Sequence, residues 1–332
     1  MEKKRTQVEE GAPASAASPG VKSGELAVRD VPAADVASAR VRVNKAYKMY
    51  VGGAFVRSES GRYTQVHGNG AGADPETVNV PRGSRKDVRD AVLVAKNAAD
   101  KWAARSAYNR GQILYRLAEV TESRTPELVE SLVRAGSSPA DAAREVAAAV
   151  DRTVFYAGFC DKISSLFSSH NPVSGPHFGF TIPNPMGVVG VVAPDAPSLL
   201  GLVSTILPII ATSNVVVATA SETDPRTAIV WSECLATSDL PAGVVNILTG
   251  QAAELAPQLA KHREVMAFDG TFGPKATELR AELERLGADS VKRVKTRSNL
   301  STGEWFDDRK GQGIAWVERY IESKTVWHPV GV

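Results

Sequence analysis

The chain has 332 residues, 43% hydrophobic and 23% charged, enough to bury the core of one large or two modest domains. Its 39 Lys and Arg against 37 Asp and Glu leave a net charge of +2, which excludes the broad electropositive surface of a general nucleic-acid binder. No apolar run reaches the roughly 20 residues of a membrane span, and two distant cysteines, Cys160 and Cys234, exclude a disulfide framework and a Cys-x-x-Cys zinc site, so a cytoplasmic protein is expected.

Residues 1–39 are rich in Ala, Ser, Pro, Gly and charge, a composition that cannot offset the entropy of ordering. A disordered tail over 1–43 is expected. Its basic start at Lys3, Lys4 and Arg5 leaves an organelle-targeting reading open beside that of an interaction tail. Met49-Tyr50-Val51 and Ala54-Phe55-Val56 flank Gly52-Gly53 and predict a hairpin. Ser84 with Asp87 forms a capping box, and Val88, Ala91, Val92, Ala95, Ala98 and Trp102 follow at helical spacing. Ile113, Leu114, Leu117 and Val120 mark a second helix, and further helical patterns cover 128–133 and 141–166.

From Met186 to Ala193 the chain reads as a strand buried on both faces, too uniformly apolar for a one-sided sheet. Similar strands are expected at 214–218, 244–248 and 265–268, separated by helices at 198–210, 226–237 and 252–261. This βαβ rhythm predicts an α/β fold with a doubly wound parallel sheet. Ligands of such sheets lie beyond the carboxyl ends of the strands, here the loops 194–197, 219–223, 249–251 and 269–273.

Colinear pieces of the chain resemble the aldehyde dehydrogenase superfamily. They include Tyr50-Val51-Gly52-Gly53-Ala54-Phe55, Asn109-Arg110-Gly111-Gln112-Ile113-Leu114, Asn184-Pro185-Met186-Gly187-Val188-Val189-Gly190-Val191, and Leu240-Pro241-Ala242-Gly243-Val244-Val245-Asn246-Ile247-Leu248-Thr249-Gly250. In detail the chain looks most like the degenerate second module of the two-module, sixteenth-family members. The resemblance implies a Rossmann-like NAD-binding domain over 44–290 and, over 291–332, a linker with a closing oligomerisation strand. The cofactor-binding positions it implies are Pro194, Thr219, Ser221, Glu222, Gly250, Gly270 and Thr271.

The departures point away from activity. The family's Trp-Asn pair, whose Asn helps form the oxyanion hole, is replaced in Pro194-Asp195-Ala196-Pro197, and a carboxylate there repels developing negative charge. The family's Lys-Pro-Ser-Glu is Thr219-Ala220-Ser221-Glu222, which keeps half of a ribose clamp. Its Phe-Thr-Gly-Ser is Phe268-Asp269-Gly270-Thr271, placing an acid where phosphates are expected. Gly250 is followed by Gln251-Ala252-Ala253 rather than by further glycines. After the helix expected at 275–286, the family's Glu-Leu-Gly-Gly stretch with its general base, and the domain with its Cys nucleophile, have no counterpart. The resemblance therefore implies a largely deleted catalytic domain, no catalytic residue, and NAD binding weak or lost. The expected partner is a full-length aldehyde dehydrogenase subunit or a second copy of this chain; the alternative is an NAD-dependent oxidoreductase or an NAD-binding sensor.

Cys160 and Cys234 sit in apolar helical patterns and read as buried small hydrophobes rather than nucleophiles. His67, His170, His177, His262 and His328 show no metal spacing, so no metal site is expected. Asp195 and Asp269 read as decay of a lost anion site in preference to an acid–base pair. The run Lys292, Arg293, Lys295 and Arg297 reads as a solvated charge run. Trp305, Trp316 and Trp327 crowd the last thirty residues, and an oligomer contact and packing under the sheet stay equally open for them.

Overall fold

A computed structural model describes residues 45–68 and 77–331; the tail expected over 1–43 lies outside the described residues. The first half runs β1 (Met49–Val51), β2 (Ala54–Val56), β3 (Tyr63–His67), β4 (Thr77–Pro81), α1 (Arg85–Ala103), α2 (Ala107–Ser123), α3 (Thr125–Ala135), α4 (Pro139–Phe159), α5 (Ile163–Phe167), β5 (Ser169–Asn171) and β6 (His177–Pro185). The second runs β7 (Val188–Val192), α6 (Ser198–Ala211), β8 (Val215–Thr219), α7 (Pro225–Thr237), β9 (Val245–Leu248), α8 (Ala252–Lys261), β10 (Val265–Phe272), α9 (Thr277–Ala288), β11 (Arg293–Ser298), α10 (Thr302–Phe306), α11 (Ile314–Glu318) and β12 (Ile321–Pro329).

Seven strands form one mixed, mostly parallel sheet in the order β11-β10-β7-β8-β9-β1-β2. Its five βαβ strands are parallel, and the opening hairpin β1–β2 joins β9 antiparallel. Every residue of β7, β8 and β9 is buried, so the sheet is covered on both faces, as their unbroken apolar sequence requires. The pair α1 and α8 and the pair α6 and α7 supply that cover.

Local chemistry fixes the helices. Ser84 accepts from Lys86 and Asp87 backbone N–H groups, and Asp87 returns a bond to the Ser84 N–H, completing the box that starts α1. Its stripe of Val88, Ala91, Val92, Ala95 and Trp102 is buried, and the Trp102 indole donates to the Ile210 carbonyl at 3.0 Å. Ser138 caps α4, and α3 ends at Gly136, whose φ of 116° suits a residue without Cβ. All fourteen residues of α6 are buried, which its uniformly apolar sequence demands. It passes so close to the loop after β7 that a Cβ on Gly201 would strike the Pro194 ring.

Three expectations are corrected. The helical pattern over 141–166 breaks into α4 and α5 at residues 160–162. Residues 269–273, expected as a crevice loop, belong largely to β10, which continues to Phe272 because Asp269 and Thr271 find polar partners within the fold. The basic run lies mostly in β11, the parallel edge partner of β10, and its expected solvation fails at Arg297, which turns inward to Asp269. There Thr296 is buried while Arg293 and Lys295 face outward.

The last residues fold back on the sheet. Trp305 and Trp316 are buried with ring centroids 5.8 Å apart, so packing holds for these two, whereas Trp327 is 62% exposed. Beyond them β12 pairs with β6 along all nine of its residues, and β5 adds a third antiparallel strand. Asn214 joins the start of β7 to the start of β12. Its Oδ1 accepts from the Met186 and Gly187 N–H groups at 2.6 and 2.8 Å, and its Nδ2 donates to the Tyr320 carbonyl at 2.8 Å.

Candidate functional site

The sheet's own geometry points to the crevice beyond the carboxyl ends of β7, β8 and β9. Pro194, Ser221, Glu222 and Gly250 meet there, joined by Asp195 and Gln251. Pro194 is buried against α6. Ser221 is 3% exposed; its hydroxyl donates to the Asp195 carbonyl at 3.1 Å and accepts from the Asp224 N–H at 3.0 Å. Gly250, at φ 144°, lies against the Gly83 backbone, where a Cβ would approach within 3.0 Å of nitrogen. Thr219 is 1% exposed at the end of β8, its hydroxyl turned to the Val191 carbonyl at 3.4 Å.

Three carboxylates hold the backbone donors of this crevice. Asp195 Oδ1 accepts from the Glu222 N–H at 2.8 Å, tying the loop after β7 to the loop after β8. Glu222 Oε1 accepts from the Ala252 N–H at 2.6 Å, tying that loop in turn to the start of α8. Glu145, from α4, accepts from the Leu199 and Leu200 N–H groups at 2.8 and 3.1 Å, occupying the start of α6. Burial pushes the Glu145 carboxyl above the usual carboxylate range, against the opposing pull of those two bonds. Helix starts of this kind are ready-made anion sites, and here the chain's own acids fill them. Arg82 closes the side of the crevice by pairing with Glu254 and donating to Gln251 at 2.9 Å.

A cavity of about 80 Å³ lies among Thr64, Val80, Ser221, Glu222, Gly250 and Gln251, room for two or three waters at roughly 30 Å³ each. Small-molecule sites run from roughly 300 to 1,000 Å³.

Gly270 and Thr271 lie in β10 beside the carboxyl end of β7, Gly270 opposite Val192. Both are buried within β10, where a Cβ on Gly270 would collide with the Phe272 ring and Thr271 accepts from Arg297 Nε at 3.2 Å. Asp269 is likewise 1% exposed, far from the role of an acid beside phosphates. It forms an ion pair with Arg297, accepts from the Tyr320 hydroxyl at 2.8 Å, and has Arg319 at 3.8 Å. Arg297 and Arg319 both lie over the Trp316 ring, at 4.4 and 4.7 Å from its centroid. Burial and the Asp269 charge push the Tyr320 phenol well above its ordinary value. Asp195 and Asp269 therefore serve separate networks.

The cysteines lie outside both. Cys160 donates to the Tyr156 carbonyl at 3.3 Å, and burial pushes its thiol up to about 12. Burial pushes Cys234 up to about 11. Neither is a thiolate at neutral pH. Among the described residues no group of three or more His, Cys, Asp or Glu is placed to hold a metal ion, and no helix is long and apolar enough to cross a membrane. Sequence reasoning missed Glu145, whose only signal was an acid inside an apolar helical stripe, and Arg82, which directly follows a strand.

The model of the aldehyde dehydrogenase family matches residues 55–278. Hydroxyisobutyraldehyde dehydrogenase of Mycolicibacterium austroafricanum is 32% identical over 262 residues, covering 77% of this chain and 48% of its own length. The NAD+ complex of aldehyde dehydrogenase from Bacillus cereus shares the fold with a TM-score of 0.71 at 24% identity, over 77% of this chain and 51% of that one. NAD-dependent aldehyde dehydrogenase from Sinorhizobium meliloti gives 0.71 at 26% identity, over 78% and 51%. The chain spans about half the length of the curated relatives it matches.

Proposed function

From a chain that belongs to the aldehyde dehydrogenase family, and whose cysteines are both buried thiols, we infer a non-catalytic subunit that docks on a complete aldehyde dehydrogenase or on its own copy. The observation that carries this reading is the sheet β12-β6-β5. Phe178, Phe180 and Ile182 of β6 share one face with Lys324, Val326 and His328 of β12, while Thr181, Thr325 and Asn171 bond to one another on the other. Phe178 and Ile182 remain 47% and 38% exposed, Trp327 stands out from the opposite face, and β12 lies at the sheet's edge. An aromatic, partly apolar face beside a strand edge needs only area and backbone hydrogen bonds to hold a partner. This role fits the oligomerisation arm of the family and the resemblance to a degenerate second module read from the sequence.

The chemistry is missing from the positions where the family keeps it. The strand after α9, where the base-bearing stretch is expected, is β11, and its sequence Arg293-Val294-Lys295-Thr296-Arg297-Ser298 holds no acid. Without a nucleophile and a base, no thiohemiacetal forms and no hydride leaves within this chain. NAD(P) binding by relatives of the same fold favours a second reading, a cofactor sensor. Against it stand the three carboxylates, which already occupy backbone N–H groups at the starts of α6 and α8 and in the loop after β8.

Affinity purification of the tagged chain from its native cells tests the proposal. A full-length aldehyde dehydrogenase or a second copy should co-elute near one-to-one. Recovery as a lone monomer, or steady NADH production from an aldehyde that Asp195→Ala abolishes, would overturn it.

A further inference from the structure

An open groove of about 800 Å³ shares no lining residue with the crevice cavity or with the sheet β12-β6-β5. It runs between the bend after β2, the first turn of α1 and the end of α8. Arg62, Arg85, Lys86, Arg89 and Lys261 line it, against one acid, Glu59. A chain of net charge +2 thus gathers four of excess on one concave surface. We propose that this groove is a docking surface for an acidic peptide segment of a partner protein.

The helix itself does not call for these charges. Arg85 and Lys86 stand at the first two positions of α1, where the macrodipole disfavours cations, and only Asp87 suits that turn. Nor are the charges all balanced from within. Lys86 pairs with Glu59 at 3.3 Å and Arg89 with Asp90 at 2.9 Å, whereas Arg62, Arg85 and Lys261 have no carboxylate within 4.0 Å among the described residues. Such cations raise the local concentration of a polyanion and speed its arrival.

The chemistry favours carboxylates in series over a single phosphate. A phosphate cradle is built from free backbone N–H groups, and here Ser84 Oγ already accepts from Lys86 and Asp87 while Asp87 accepts from Ser84 and Glu59. The cations come from three places in the chain, the bend after β2, the start of α1 and the end of α8. The one apolar lining residue, Val88, is 1% exposed, so charge and not an apolar anchor sets the partner.

Fluorescence anisotropy with a labelled polyglutamate peptide at low and physiological salt tests the assignment. Binding should be saturable and weaken with salt. The triple charge reversal R62E/R85E/R89E should lower affinity by about tenfold or more, while the remote K275E leaves it unchanged. Should the triple variant fail to keep the native circular dichroism spectrum, the milder R85Q/K261Q should lower affinity in the same direction. No saturable binding, an equal loss in K275E, or tighter binding of tripolyphosphate or duplex DNA than of the peptide would overturn the proposal.

Discussion

At the scale of single residues, Asp269 is the buried acid on which the carboxyl half of the chain converges. Breaking a buried ion pair leaves its partner uncompensated and costs about 3–5 kcal/mol. Asp269→Ala should therefore lower the stability read from urea unfolding by about that amount, because it strands Arg297 and unties Tyr320. Replacing Asp269 and Arg297 together by apolar residues should cost less than the single change. The thiols give a second prediction, of alkaline sensitivity. Raised values of about 12 for Cys160 and 11 for Cys234 mean that the folded state holds these protons more tightly than the unfolded chain does. Their contribution is complete below about pH 9 and is lost as pH rises through 11 and 12. Circular dichroism followed upward from pH 8 should show that loss, and iodoacetamide should leave both thiols unlabelled at neutral pH unless denaturant is added. The inertness of the thiols was legible in their apolar neighbours. The partners of Asp269 were not, because Arg297 and Tyr320 lie 28 and 51 positions away and nothing local marks them.

At the scale of elements, the uniformly apolar strands β7 to β9 and their helices were legible because burial on both faces leaves no other composition possible. The end of β10 was hidden: Asp269 and Thr271 look like loop residues until β11 and the final helices supply their partners. In β11 the signal was present as alternation, with Val294 and Thr296 between basic residues, and charge masked it. Helix α6 depends on an element equally remote in sequence. Its first N–H groups are held by Glu145 of α4, so Glu145→Ala should destabilise by about 1.5–3 kcal/mol, the range for hydrogen bonds to a charged group. Glu145→Gln keeps an acceptor oxygen and should lose less, and thermal unfolding of the two variants side by side checks the order. Of the crevice residues expected from the sequence, those in loops after β7, β8 and β9 come together. Gly270 and Thr271 lie inside the lengthened strand β10, with Gly270 opposite Val192 at the end of β7.

For the whole molecule, the proposed subunit role makes the three-stranded sheet the site of assembly. Phe178→Glu with Ile182→Glu should dissociate a homo-oligomer, or release a captured partner, as read by light scattering coupled to gel filtration. The fold should stay intact, since both side chains are already partly exposed. The filled crevice makes a separate prediction about the cofactor. With affinity poorer than millimolar, about 1 mM NAD adds less than about 0.4 kcal/mol, a rise in melting temperature under about 2 °C. A larger shift would favour the sensor reading.

The distribution of the tryptophans gives the molecule two optical reporters in different places. Trp305 and Trp316 are shut away from solvent within 5.8 Å of each other, close enough for their transitions to couple and mark the docking of the last helices. Trp327 faces water on the assembly sheet and should dominate both the red edge of the emission and its quenching by acrylamide. A partner that covers the β12 edge would shift that component to the blue and leave the coupled pair unaltered, so spectroscopy alone distinguishes assembly from unfolding.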